Sequence, residues 1–157
     1  MLTLHLLRHA KTNQLSPTGK DFDRELLPKG IKQCAEMKVF LSNESIHIDQ
    51  VLCSKAKRTL QTHELCNLNK ELTHFSKNLY LCTSMEMIQE ISHFGKEKNI
   101  LVVGHNDGIS QLASYLCDDY IHLQTCGFVS IELGIDDWNL LSQGIGSMKM
   151  QFRPEVN

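Results

Sequence analysis

The sequence predicts an α/β fold of three layers: a largely parallel β-sheet flanked by helices on both faces, with an antiparallel hairpin at the C-terminal edge. Three observations carry this. Apolar runs of strand length alternate with segments of helical period, an order that favours parallel strands joined by helical crossovers. The run "NILVVG", Asn99 to Gly104, is unbroken and rich in β-branched residues, as in a central strand covered on both faces. The last thirty residues switch to a two-residue period.

Taken in order, "LTLHLL" near the N-terminus reads as the first strand. Ile31, Cys34, Ala35, Lys38 and Leu41 then repeat at helical spacing, with Pro28 where a first helical turn tolerates it. "QVLCS", Gln50 to Ser54, is the second strand, and a helix is expected from about Lys57 to Leu68. Met87, Ile88, Ile91 and Phe94 mark a third helix, with Ser84 as its expected N-cap and Gly95 near its end. After "NILVVG", the residues Ile109, Leu112, Ala113, Leu116 and Cys117 define a fourth helix, closed by Asp118 and Asp119. "FVSIEL" alternates, "GIDDWN" carries turn chemistry, and "SMKMQF" reads as the closing strand. With no repeat, linker or low-complexity segment, one domain over residues 1–157 accounts for the chain.

Composition narrows the function classes. The 157 residues suffice for a core without metal or disulfide support, and 41% are apolar and 22% charged, as in ordinary globular proteins. A net charge of −2, from 16 Lys+Arg against 18 Asp+Glu, argues against a broad nucleic-acid surface, and the aromatic residues form no stacking platform. Any anion site must be local. The six cysteines form no CxxC pair and mostly sit in apolar runs, so they read as reduced buried thiols. The N-terminal run lacks a positively charged leader segment and is too short to span a membrane, so a cytoplasmic location is expected. His47, His63, His74, His93 and His122 show no metal-ligand spacing, and His5 reads as a packed core residue.

In open α/β sheets, ligands bind beyond the carboxyl ends of the strands. Arg8 and His9 follow the first strand, Arg58 opens the helix after the second, and His105 follows "NILVVG". Two arginines offer planar forks for phosphate oxygens, and the adjoining helix starts add backbone N–H groups that favour an anion. A histidine nitrogen aimed at phosphorus can attack it and form a covalent phosphohistidine; a second histidine, if protonated, can donate to the phosphoryl oxygens. The scheme requires neither metal nor cofactor. Each residue alone has an ordinary reading as a solvated or ion-paired strand end or helix surface. Their delivery to successive strand ends gives the set its meaning.

"LHLLRHAKT" resembles the RHG/RHA signature of the histidine phosphatase superfamily, the phosphoglycerate-mutase-like fold. "DFDRELLPKG", "VLCSKAKRTLQT" and "VVGHNDGI" are similar to the D-x-x-R-x-L-x-x-x-G, V-x-x-S-x-x-x-R-x-x-Q-T and V-G-H-N-P-G segments of its short phosphohistidine phosphatases. The tail "W…L…G…M…FRP" is similar to their C-terminal hairpin, so the resemblance runs from about Leu2 to Pro154. It implies that His9 is the nucleophile, Arg8 and Arg58 clamp phosphate, and His105 is the second pocket histidine. Arg24 would reach the pocket rim or pair with Asp23 or Glu25; Asn106, Thr12 and Lys11 are weaker binding candidates. The resemblance implies a metal-independent phosphatase acting on phosphohistidine of a protein. A phosphatase for small phosphomonoesters and a non-catalytic phosphate- or phosphoprotein-binding module are the alternatives.

Two departures matter. Asp107 stands where proline is frequent, and is expected to cap the following helix. Larger members carry a general acid in an insertion; here "NLYLCTSMEMIQE" has none, and Glu86, the nearest candidate, also suits the start of a helix. Without an acid, and with few inserted segments to roof the cleft, the chain suits good leaving groups such as the imidazole of a phosphohistidine.

Overall fold

The computed structural model describes residues 1–156. Its six strands lie in one sheet in the order β3-β2-β4-β1-β5-β6, formed by β1 (Leu2–Arg8), β2 (Gln50–Ser54), β3 (Thr73–Ser76), β4 (Asn99–Gly104), β5 (Phe128–Leu133) and β6 (Gly146–Phe152). The pairs β1·β4, β2·β4 and β2·β3 are parallel; β5 runs antiparallel to β1 and β6 antiparallel to β5. The expected parallel sheet with an antiparallel edge is therefore present, and "NILVVG" does occupy an interior position. The strand β3 is an addition. Its four residues, "THFS", sit at the sheet edge and are mostly half-buried, so they show neither the long apolar run nor the alternation that reveals a strand.

The helices α1 (Pro28–Asn43) and α2 (Lys57–Leu65) cover one face, α3 (Ser84–Phe94) and α4 (Gly108–Cys117) the other. Alternation along β4 shows the division: Ile100 and Val102 join the cluster with Met87, Ile91, Leu112 and Leu116, while Leu101 and Val103 join Cys34, Met37 and Phe128. His5 is the core residue expected, stacked on the Phe128 ring at 5.6 Å with its Nε2 bonded to the His47 carbonyl. All six cysteines are free thiols, five of them buried.

Three helix ends differ from expectation. Helix α2 stops at Leu65 because Asn67 takes a left-handed conformation, φ 59°, which asparagine tolerates better than most residues. Thr83, not Ser84, caps α3, and it forms a reciprocal capping box with Glu86. Asp107 is the N-cap of α4 but makes no side-chain capping bond; its carboxylate acts instead through space on Arg8, favouring the charged guanidinium against the effect of burial.

Close packing behind the strand ends depends on glycine. A Cβ on Gly30, in the first turn of α1, would lie 2.2 Å from the Lys11 carbonyl oxygen. Gly30→Ala is expected to cost about 1–3 kcal/mol through overpacking against backbone, measured as a lowered urea midpoint with an unchanged m-value.

Candidate active site

The carboxyl ends of β1, β2 and β4 are neighbours in the sheet, so the residues after them converge. Arg8, His9, Arg58 and His105 line a single cleft of about 240 Å³, together with Lys11, Thr12, Gln14, Asp21, Arg24, Leu81, Asn106 and Thr125. The four residues that sequence reasoning singled out are thus brought together, and the weaker candidates Arg24, Asn106, Lys11 and Thr12 lie around them. Glu86 does not join them, since its carboxylate accepts from the Thr83 backbone N–H in the capping box. Larger clefts exist elsewhere, including one of about 330 Å³ between the C-terminal ends of α1 and α2, but none of those described gathers such a set.

His9 is 7% exposed and its tautomer is fixed. Nδ1 lies 2.8 Å from the carbonyl oxygen of Ala10, which can only accept, so Nδ1 carries the proton and Nε2 keeps its lone pair. The local backbone is held from two sides: the Ala10 N–H donates to Thr62 Oγ1, and the Lys11 N–H donates to Gln33 Oε1. The ring of His105 stands 5.4 Å from that of His9, with its Nε2 2.8 Å from Ser54 Oγ. Burial, with the nearby arginines in support, pushes the His9 imidazole down to about 3 and that of His105 to about 2, the His9 ring adding to the push on His105.

Both imidazoles are therefore neutral at neutral pH. Unfolded histidines take up protons near pH 6.5, so the unfolded chain binds more protons than the fold between that pH and the lowered values. The stability these two groups contribute is complete above about pH 6.5 and is lost as pH falls toward 3. Thermal midpoints are expected to drop progressively from pH 7 to pH 4, and His105→Gln to show a shallower drop in the same scans.

Arg58 is 2% exposed at the start of α2, buried by the loop between β1 and α1. Its Nη1 donates to the Asp21 carbonyl at 2.8 Å and its Nη2 to Asp21 Oδ2 at 3.0 Å. Arg8 Nη1 donates to the Leu123 carbonyl at 3.2 Å. Three buried groups remain without a protein partner in this cleft: Arg8 Nε, Arg58 Nε and His105 Nδ1. Buried polar groups are rarely orphaned, and two guanidinium nitrogens orphaned in one cleft mark a place for an acceptor.

Asp21 is the residue sequence reasoning missed. It is the one carboxylate among the residues lining the cleft, and it takes hydrogen bonds from Tyr80, Arg24 and Arg58. Burial pushes its carboxyl up, but those bonds outweigh it and hold it well below the usual carboxylate range. Arg24 accordingly pairs with Asp21, not with Asp23 or Glu25. The available signal was the first position of the D-x-x-R segment, three residues before Arg24, which a single short 3-10 turn (Asp21–Asp23) brings onto the arginine. Asn106 stands in the wall with its amide engaged by the Leu123 carbonyl and the Ser110 hydroxyl.

The sequence model of the histidine phosphatase superfamily (branch 1) matches residues 4–77. An uncharacterized protein of Mycobacterium tuberculosis is 34% identical over 112 residues, covering 70% of this chain and 69% of that protein. A chloroplastic Arabidopsis thaliana protein, also uncharacterized, is 27% identical over 94% of this chain and 75% of its own length. Among solved structures, one from Nakamurella multipartitia, provisionally named as the phosphohistidine phosphatase SixA, superposes with a TM-score of 0.87 at 23% identity, over 99% of this chain and 97% of that one. The protein histidine phosphatase SixA complexed with tungstate gives 0.78 at 22% identity over 97% of each chain. A phosphoserine phosphatase of Entamoeba histolytica gives 0.68 at 14% identity over 96% of each. At these identities the superpositions establish the shared fold.

Proposed function

Because this chain belongs to the histidine phosphatase superfamily and is by that membership a phosphatase, we propose that it hydrolyses phosphohistidine on a protein through a covalent intermediate on His9, without a metal ion. The observation that carries this is the set of three unpartnered donors around a histidine whose Nε2 lone pair is free. Arg8, Arg58 and His105 would hold three phosphoryl oxygens. With the Ser54 hydroxyl as donor to His105 Nε2, that ring's proton would sit on Nδ1 and the neutral imidazole would serve as a donor. This replaces the protonated form considered from sequence.

In the first step His9 Nε2 forms a bond to phosphorus while the P–N bond of the substrate breaks, its electron pair leaving with the substrate ring, which carries a proton on its other nitrogen and so departs as neutral imidazole. In the second, water attacks the phosphorus, the P–Nε2 bond breaks, and inorganic phosphate leaves. The leaving-group side favours this substrate class. Asp21, the sole carboxylate among the lining residues, is held ionised by three hydrogen bonds and so has no proton to give. An alkoxide needs such a proton from the enzyme, whereas a phosphohistidine ring protonated on its other nitrogen departs as neutral imidazole without one. The names of the SixA neighbours point the same way.

The test is turnover in EDTA on a histidine-phosphorylated protein, beside phenyl phosphate and phosphoserine. The reading expects hydrolysis of the phosphoprotein, inhibition by vanadate, and an acid-labile, alkali-stable phosphoryl label on the enzyme. A requirement for added metal would overturn the mechanism, preference for the small esters would move the substrate, and binding without turnover of any of the three would leave a phosphate-binding module.

A further inference from the structure

We propose that Asp21 is a specificity-determining residue: it occupies the arginine donors that a second anionic group of a substrate would need, and so restricts the cleft to ligands recognised by one phosphoryl group. The inference rests on the phosphatase reading above and concerns what else a phosphorylated substrate carries.

A donor inventory supports it. Three arginines line the cleft, enough in principle for a phosphoryl group and a neighbouring carboxylate or second phosphate. Every nitrogen of Arg24 is already engaged: Nε with the Asn13 carbonyl at 2.7 Å, Nη1 with Asp21 Oδ1 at 3.0 Å, and Nη2 with Thr12 Oγ1 at 2.7 Å. Both terminal nitrogens of Arg58 donate to Asp21, one to its backbone and one to its carboxylate. Among the buried donors of the cleft, Arg8 Nε, Arg58 Nε and His105 Nδ1 stay unpartnered, a set suited to one phosphoryl group. Lys11 adds a cation to the lining, but an ammonium on a flexible stem is a hydrated point charge without the fixed fork that recognises a carboxylate.

Asp21 is itself held in place. The Tyr80 hydroxyl donates to its Oδ2, and the Tyr80 ring packs edge-on against Phe22 at 4.9 Å and against His105 at 5.5 Å. The carboxylate is thereby fixed between the two guanidinium groups, and its charge repels a second anion entering beside the phosphoryl group. Removing that charge while keeping the shape weakens the hold on Arg24 Nη1 and restores that guanidinium's full positive field.

The measurement is calorimetric binding of phenyl phosphate and 4-carboxyphenyl phosphate, in a His9→Ala background so that neither ligand is consumed. The readout is the ratio of the two affinities, in which general loosening of the cleft cancels. Asp21→Asn is expected to raise the relative affinity of the carboxylated ligand by about 10-fold, the worth of one freed charge-assisted contact. Adding Arg24→Gln is expected to return the ratio to the parent value, and Tyr80→Phe, which leaves Asp21 on both arginines, to leave it within about 2-fold. A ratio unmoved by Asp21→Asn, a gain that survives Arg24→Gln, or an equal gain in Tyr80→Phe would each overturn the assignment. So would failure of the parent to bind phenyl phosphate. Loss of the phosphatase reading appears separately, as wild-type enzyme that binds these ligands and turns over none of its substrates.

Discussion

Replacing His9 with alanine is expected to lower kcat by about 10⁵-fold or more, the scale seen when a covalent nucleophile is deleted. The structure gives the reason in the tautomer: with its Nδ1 proton committed to the Ala10 carbonyl, His9 offers an unprotonated Nε2 to the cleft, and no neighbouring side chain duplicates it. His105 stands close, but its Nε2 is engaged by Ser54. Because Arg8, Arg58 and His105 remain, the variant should still bind oxyanions. The distinguishing measurement is a radiolabelled phosphoryl group that is acid-labile and alkali-stable on wild type and absent from His9→Ala. A label of equal intensity on the variant would assign the nucleophile elsewhere.

Arg58→Ala is expected to act on binding. The side chain is 2% exposed and belongs to the set of orphaned donors. Charge-assisted hydrogen bonds contribute about 1.5–3 kcal/mol each, so losing this guanidinium should weaken inhibition by vanadate or tungstate by about 100-fold and lower kcat/KM at least as much. Arg58→Lys should recover little, because an ammonium cannot hold Asp21 through two nitrogens while presenting a third to the cleft. Equal vanadate inhibition of wild type and Arg58→Ala would remove Arg58 from the anion site.

Much of the fold was legible because its signals are periodic. The unbroken β4 run, the helical stripes of α1, α3 and α4, and the alternation of β5 each reflect burial on a defined number of faces. What escaped was short or decided by conformation. The β3 strand has four residues at an edge, and the end of α2 depends on Asn67 adopting a positive φ. The motif residues whose purpose the sequence left blank also acquire physical roles. Ser54 holds His105, Gln61 accepts the Leu26 backbone N–H, Thr62 accepts that of Ala10, and Gly30 lets α1 approach Lys11.

The sequence by itself determined the layered α/β architecture and the positions of Arg8, His9, Arg58 and His105, because strand ends follow from apolar runs and the ends of neighbouring parallel strands meet. Only the tertiary structure decided the charge state of that cleft. Burial of both imidazoles keeps them neutral, a bond to the Ala10 carbonyl selects the His9 nitrogen, and Asp21, drawn in from a loop between Arg24 and Arg58, stays ionised. These outcomes depend on distance and desolvation between residues far apart in the chain, which no local pattern encodes.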